Sequence, residues 1–235
     1  MEVNFAVAKV SKYATRESGD TVEMIERPHG GISMVLVDGQ RSGRSAKAIS
    51  NVVARKAVQL LAEGVRDGAA ARAAHDYLYT YRGGKVSATL NILSVDTRSR
   101  TLVVSRNNPA PVIVFAPDTG LYLLDNPSSV VGFQPNVKPD ISEIPLTLGT
   151  IVVAFTDGLQ HAGSASGTRT YDAKAVIKEL LEEAVSDPKI IADTLLSGAV
   201  ELDDGRPRDD ISVAVVSVVE RAGDDVRRLS GRLPL

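Results

Sequence analysis

Apolar residues along this chain recur with two periods, and the alternation between them predicts its elements. Val3, Phe5 and Val7 alternate with other residues, as in a half-buried strand. After the turn signal Ser18-Gly19-Asp20, Val22, Met24 and Ile25 resume strand character. Pro28-His29-Gly30-Gly31 predicts a hairpin turn that returns the chain along Ile32 to Val37. Antiparallel pairing of those two strands would set Asp20 beside Asp38. From about Ser45 the period changes: Ala46, Ile49, Val52, Val53, Ala57, Leu60 and Leu61 form one apolar helical stripe. A second, Ala-rich helix is predicted from about Gly68 to Tyr79, with Asp67 placed to cap it.

Further strands follow at Val86 to Val95, Thr101 to Ser105, Val112 to Phe115, Leu121 to Leu124, Ile141 to Leu146 and Ile151 to Phe155. Ser128 to Pro139 and the Gly- and Ser-rich stretch His161 to Thr170 read as loops. Two late helices start near Asp172 and at Asp187-Pro188, where Pro suits the first helical position. Ile211 to Val219 is the last strand. Runs such as Ile151 to Phe155 are apolar on both faces and call for cover on both sides. The expected fold is α/β (α+β): a four-layer α/β/β/α sandwich of two mainly antiparallel sheets flanked by helix pairs. Residues 1–220 would form this single domain, with 221–235 a flexible charged tail.

Composition narrows the function. Hydrophobic residues make up 43 %, enough for a core without staples. The chain has no cysteine, which removes disulfides, thiolate metal sites and a cysteine nucleophile, and fits a reducing compartment. With a net charge of −2 and no basic run, a nucleic-acid partner is not expected. The N-terminus lacks the apolar core of a signal peptide, and no stretch approaches the roughly 20 apolar residues of a membrane span. A cytoplasmic location with no membrane partner is the expectation.

The candidate chemistry lies where apolar runs end in carboxylates. Met34-Val35-Leu36-Val37 ends at Asp38-Gly39, Ile151 to Thr156 ends at Asp157-Gly158, and Asp209-Asp210 opens Ile211 to Val216. A carboxylate inside a strand loses its hydration, whereas at a strand end it can meet water or a metal. Hard cations such as Mg²⁺ and Mn²⁺ take such oxygen ligands. Two ions about 3.5–4 Å apart can activate water for attack on phosphorus. Turn or cap chemistry explains any single Asp-Gly; three in matched settings, with Asp20, point to a site. His29, His75 and His161 are isolated and read as surface residues, and Asp203-Asp204 and Asp224-Asp225 as solvated loop acids. No Gly-x-Ser-x-Gly elbow supports a serine nucleophile.

Taken in order, these motifs resemble the metal-dependent Ser/Thr protein phosphatases of the PPM (type 2C) family, in the branch containing SpoIIE, RsbU and RsbX. The likeness rests on Ser18-Gly19-Asp20, Val37-Asp38-Gly39 with Ser42-Gly43 and Ala46, Ala88-Thr89-Leu90-Asn91, Asn107-Asn108-Pro109, Thr156-Asp157-Gly158-Leu159 and Asp209-Asp210-Ile211-Ser212. It implies two Mn²⁺ or Mg²⁺ ions, with Asp38 bridging both and the Gly39 carbonyl on one. Asp157 and Asp209 would hold the other, Asp20 would contact a metal directly or through water, and Asp210 would orient the site. Water would then attack a phosphoserine or phosphothreonine without a phosphoenzyme. Asn107 stands where the branch often has His. Arg16, Arg41 and Arg44 are candidate phosphate contacts, with solvated arginine the plainer reading of each.

Within the branch the chain is most similar to RsbX, since it starts directly in its first strand. That likeness implies phosphorylated STAS-domain partners of the stressosome, of RsbS/RsbR type. Two other readings stay open: a catalytically inactive phosphatase-like binding module, and a two-metal hydrolase of nucleotides or nucleic acid. The complete acidic set disfavours the first, and the absence of a basic stretch disfavours a nucleic-acid substrate for the second.

Overall fold

The structure, a computed structural model, describes residues 1–164 and 170–234. Its elements run β1 (Glu2–Val10), β2 (Asp20–Glu26), β3 (Gly31–Gly39), α1 (Gly43–Ala62), α2 (Asp67–Arg82), β4 (Ala88–Asp96), β5 (Thr101–Asn107), β6 (Val112–Ala116), β7 (Gly120–Leu124), β8 (Asp140–Pro145), β9 (Ile151–Phe155), α3 (Asp157–His161), α4 (Ala173–Glu182), α5 (Pro188–Leu202) and β10 (Ile211–Val219). Two five-stranded sheets form, ordered β1-β10-β9-β6-β7 and β2-β3-β4-β5-β8. Every strand pairing described is antiparallel.

Strand periodicity sorts the core into three layers. In β9, Ile151, Val153 and Phe155 face α4 and α5, while Val152 and Ala154 face the other sheet. In β3, Val35 and Val37 pack under α1 and α2, and Met34 and Leu36 enter the space between the sheets. Both faces of these strands are therefore dry, which is why their sequences are continuous apolar runs. The small residues on the α1–α2 seam, Ala54, Ala57, Ala70, Ala71 and Ala74, are all fully buried and let the helices lie close. The expected four layers are all present.

Some local expectations fail. Asp67 does not cap α2: it lies inside the helix, whose N-cap is Arg66, and the helix continues to Arg82. The Asp67 carboxylate instead meets Arg27 at 3.1 Å and accepts from Ser94, an ion pair that tertiary packing brings together. His75 is not on the surface. It is 1 % exposed, and its Nδ1 accepts the Gly132 N–H at 3.0 Å. Among the described residues, the tail beyond Val219 has no regular secondary structure. Part of the predicted loop from His161 to Thr170, residues 165–169, lies outside the described residues. Among the described residues no helix is long and apolar enough to cross a membrane.

Candidate metal centre

Antiparallel register gathers the acidic motifs at one edge of the sandwich. Asp38 closes β3 and pairs with Asp20 at the start of β2. In the facing sheet, Asp157 follows β9, and Asp209 stands just before β10, the antiparallel neighbour of β9. An antiparallel pair sets the end of one strand beside the start of the next. Two such pairs, facing each other across the core, place four carboxylates along one edge from positions up to 189 residues apart (20 to 209).

Asp20 links the sheets. It is fully buried, and its Oδ2 accepts from Thr156 Oγ1 at 3.0 Å, just past β9, and from Ser212 Oγ at 2.6 Å, in β10 of the opposite sheet. Its other oxygen, Oδ1, is buried with no hydrogen-bond partner. Its carbonyl accepts the ammonium groups of Lys9 (2.6 Å) and Lys47 (2.7 Å). Asp210 supports the site from beneath: its carboxylate accepts the N–H of Lys12 at 3.0 Å and of Gly19 at 2.8 Å. The sequence marked Thr156 and Ser212 as members of the last two acidic motifs but gave neither hydroxyl a role, since a hydroxyl beside an acidic motif has no distinctive spacing.

Two motif glycines are explained by close approach. A Cβ on Gly39 would stand 2.1 Å from the Ala46 carbonyl oxygen, and one on Gly158 would stand 2.2 Å from that of Asp210. Gly39 thus answers first to the packing of α1 against the end of β3, a requirement separate from any metal contact by its own carbonyl.

The electrostatics are unbalanced. Burial, followed by the repulsion of Asp20 and Asp157, pushes the Asp38 carboxyl up to about 9. Burial likewise raises Asp20 to about 6, against the hydroxyl bonds and the charge of Lys9 that favour its ionised form. Asp209 is raised too, first by burial. This all-oxygen donor set, with one buried Asp20 oxygen lacking a hydrogen-bond partner, fits a hard divalent cation. Among the described residues no three acidic or histidine side chains are already drawn together around one point. Mutual repulsion opposes that convergence, and a cation's charge would reverse it.

A cavity of about 660 Å³ opens over Asp38, Asp157 and Asp209. Lys12 and Arg41 line it, and Arg41 sits at a backbone φ of 77°. Arg16 and Arg44 are exposed and do not line it. Lys12 was missed because nothing in its neighbours marks it; the hydrogen bond to Asp210 brings it in. The exposed imidazole of His161 lies 3.8 Å from Asp157. Asn107 donates to the Ser129 and Lys138 carbonyls, and Asn108 to that of Phe155. Arg106, 1 % exposed, holds the same turn: it donates to the carbonyls of Asn108, Ala110 and Asn126 and pairs with Asp140 at 3.2 Å. Asp203 is also a correction. It is buried and bonded to backbone, whereas Asp204 is exposed as expected. A larger hollow of about 1500 Å³ lies against the tail. Some of its charges pair with one another, as in Arg227–Glu26 and Arg228–Asp224, and no acidic motif reaches it.

Two facing antiparallel sheets with an acidic edge define the type 2C phosphatase class. The chain belongs to the family of stage II sporulation protein E (SpoIIE), whose family model matches residues 28–219. Among solved structures, it is similar to the PP2C phosphatase domain of SpoIIE from Bacillus subtilis, solved with a fragment of the regulatory domain. The TM-score is 0.79 at 20 % identity, covering 93 % of this chain and 64 % of that one, so this chain spans less than two thirds of that relative. RsbX in complex with magnesium aligns with a TM-score of 0.67 at 15 % identity, covering 91 % and 94 %. The catalytic domain of the serine/threonine phosphatase PstP, in complex with two manganese ions, gives 0.67 at 15 % identity, covering 93 % and 99 %. No curated protein matches the chain.

Proposed function

We propose that this chain hydrolyses phosphoserine or phosphothreonine on a signalling protein, using Mn²⁺ or Mg²⁺ held at the acidic edge, two ions in all. The observation that carries the reading is the meeting of Asp20, Asp38, Asp157 and Asp209 from both sheets, with Asp38 driven far above the ordinary carboxylate range. Asp38 and the Gly39 carbonyl, together at the end of β3, would help hold the ions. Asp157 and Asp209 would share an ion, and Asp20 Oδ1 would reach a metal directly or through water. Bound there, the cations would supply Lewis-acid polarisation of the phosphoryl group and a lowered pKa for water.

The chain's own groups do the rest. Thr156 and Ser212 hold Asp20 Oδ2, which leaves the buried Oδ1 without a hydrogen-bond partner. Asp210 fixes the backbone of Lys12 and Gly19, so one carboxylate positions both a cavity cation and the loop before Asp20. Lys12 and Arg41 offer positive charge to an entering phosphate dianion, whose oxygens pair well with ammonium and guanidinium groups. The Asn107-Asn108 turn, clamped by Arg106, walls the cavity against the end of β9.

For the partner we infer a phosphorylated STAS-domain protein of the stressosome, met in the cytoplasm, which the chain would reset. That inference rests on the likeness to RsbX. The test is phosphate release from a phosphorylated STAS-domain protein, with and without Mn²⁺, for wild type and Asp38→Asn. Release that needs Mn²⁺ and is lost in Asp38→Asn supports both chemistry and partner. Release from a generic phosphoester alone removes the partner. Release from neither, with or without metal, leaves a binding module.

A further inference from the structure

The segments that carry Asp157 and Asp209 are tied together by one buried carboxylate. Asp203 follows the last residue of α5 and is 7 % exposed. Its Oδ1 accepts the Gly163 N–H at 2.9 Å and its Oδ2 accepts the Arg208 N–H at 3.0 Å. Gly163 lies two residues beyond α3, the short helix that Asp157 opens, and Arg208 immediately precedes Asp209. The Asp203 carbonyl also accepts the Arg206 N–H at 2.9 Å, which tightens the turn between Asp203 and Arg208. The two acidic motifs are 52 residues apart in the chain (157 to 209), and nothing in their own sequence fixes their spacing.

We propose that Asp203 is a positioning residue for the metal centre: the β9–β10 pairing makes Asp157 and Asp209 neighbours, and Asp203, by bonding both loops beyond that pairing, holds their separation. The proposal rests on the reading that those two carboxylates share a cation. Asp203 does not line the cavity and would act through the loops it joins. Both of its bonds are charge-assisted and need acceptor oxygens. Asn keeps the shape but has one acceptor oxygen, and its NH₂ would oppose an N–H donor. Partners that orient metal ligands from behind typically change metal affinity about 10- to 100-fold when altered.

The test is Mn²⁺ binding to the whole chain by titration calorimetry, for wild type, Asp203→Asn and the exposed neighbour Asp204→Asn. The expected result is a dissociation constant raised about tenfold or more in Asp203→Asn, and unchanged within about twofold in Asp204→Asn. In phosphate release, the Mn²⁺ concentration for half-maximal rate should rise in parallel, with the rate recovered at saturating metal. A merely structural role would lower the melting temperature and leave Mn²⁺ affinity where it was, and that result overturns the proposal. Should Asp203→Asn not fold, Asp203→Ser, which removes the opposing NH₂, serves the same comparison. If wild type binds no Mn²⁺, it is the metal reading itself that fails, and this proposal with it. Binding in wild type with equal binding in the variant sinks the positioning role alone.

Discussion

Two sets of buried and half-buried carboxylates in this molecule are treated in opposite ways. Away from the acidic edge, Asp67 meets Arg27 at 3.1 Å, and Asp140 meets Arg106 at 3.2 Å. Each has a guanidinium within reach, and hydroxyl or backbone groups complete the clusters. At the acidic edge, Asp20 and Asp38 face each other and two further aspartates, with Lys9 and Lys47 bound to a backbone carbonyl rather than to a carboxylate oxygen. A buried charge is costly unless paired. The fold meets that rule at Asp67 and Asp140 and breaks it at Asp38, where repulsion and burial raise the carboxyl to about 9. The contrast separates carboxylates paired with a guanidinium from carboxylates left facing one another, and under the proposed function a cation would supply the missing charge.

The sharpest break of this contrast is Asp38→Asn. It should abolish metal-dependent phosphate release, by about a hundredfold or more, while raising the melting temperature in EDTA, because a repelled carboxylate is replaced by a neutral amide. Release retained in the variant, or a lower melting temperature, would contradict the assignment. Arg106→Met tests the other side. It strips Asp140 and three carbonyls of their partner, and denaturant unfolding should show a loss of about 3–5 kcal/mol. A loss under about 1 kcal/mol would mean the clamp is dispensable.

A smaller effect should appear in the pH profile. The folded-state values of Asp20 and Asp38 lie above their unfolded value of 3.8. The folded chain therefore binds more protons, and this contribution, full below about pH 4, is lost as pH rises through about 6 and then about 9. His75 opposes it: burial lowers its pKa, so its contribution is lost as pH falls below about 6.5. Subtracting the Asp38→Asn profile removes the His75 part. The difference in melting temperature between variant and wild type in EDTA should widen from pH 5 to pH 8, and Mn²⁺ should close it. A flat difference would argue against the raised carboxyls.

The smallest effects concern the cations. Lys12→Ala and Arg41→Ala should raise KM several-fold with little change in stability, while Arg16→Ala and Arg44→Ala, outside the cavity, should leave kinetics unchanged within about twofold. A large KM effect from Arg16 or Arg44 would show that the substrate contacts reach beyond the cavity.

The legible parts of the molecule are those where a local rule suffices. The alternation in β3 and β9 predicts strands covered on both faces, and the hairpin at Pro28 to Gly31 predicts the register that sets Asp20 opposite Asp38. Asp187-Pro188 starts α5 as its N-cap and first helical residue. The misses share one cause. Asp67, His75 and Asp203 look in sequence like a cap, a surface histidine and a loop acid, and each is buried by a partner distant in the chain. The same holds for Lys12, Thr156 and Ser212, which enter the site through bonds to residues 198, 136 and 192 positions away.

The chain's own order of residues determined the elements, the two-sheet layering and the acidic strand ends, because apolar period and strand termination are local properties of neighbouring side chains. Tertiary structure alone decided which carboxylates receive a cationic partner and which are left facing one another. Charge compensation depends on three-dimensional distance and burial, and the residues that settle it lie far apart in the chain.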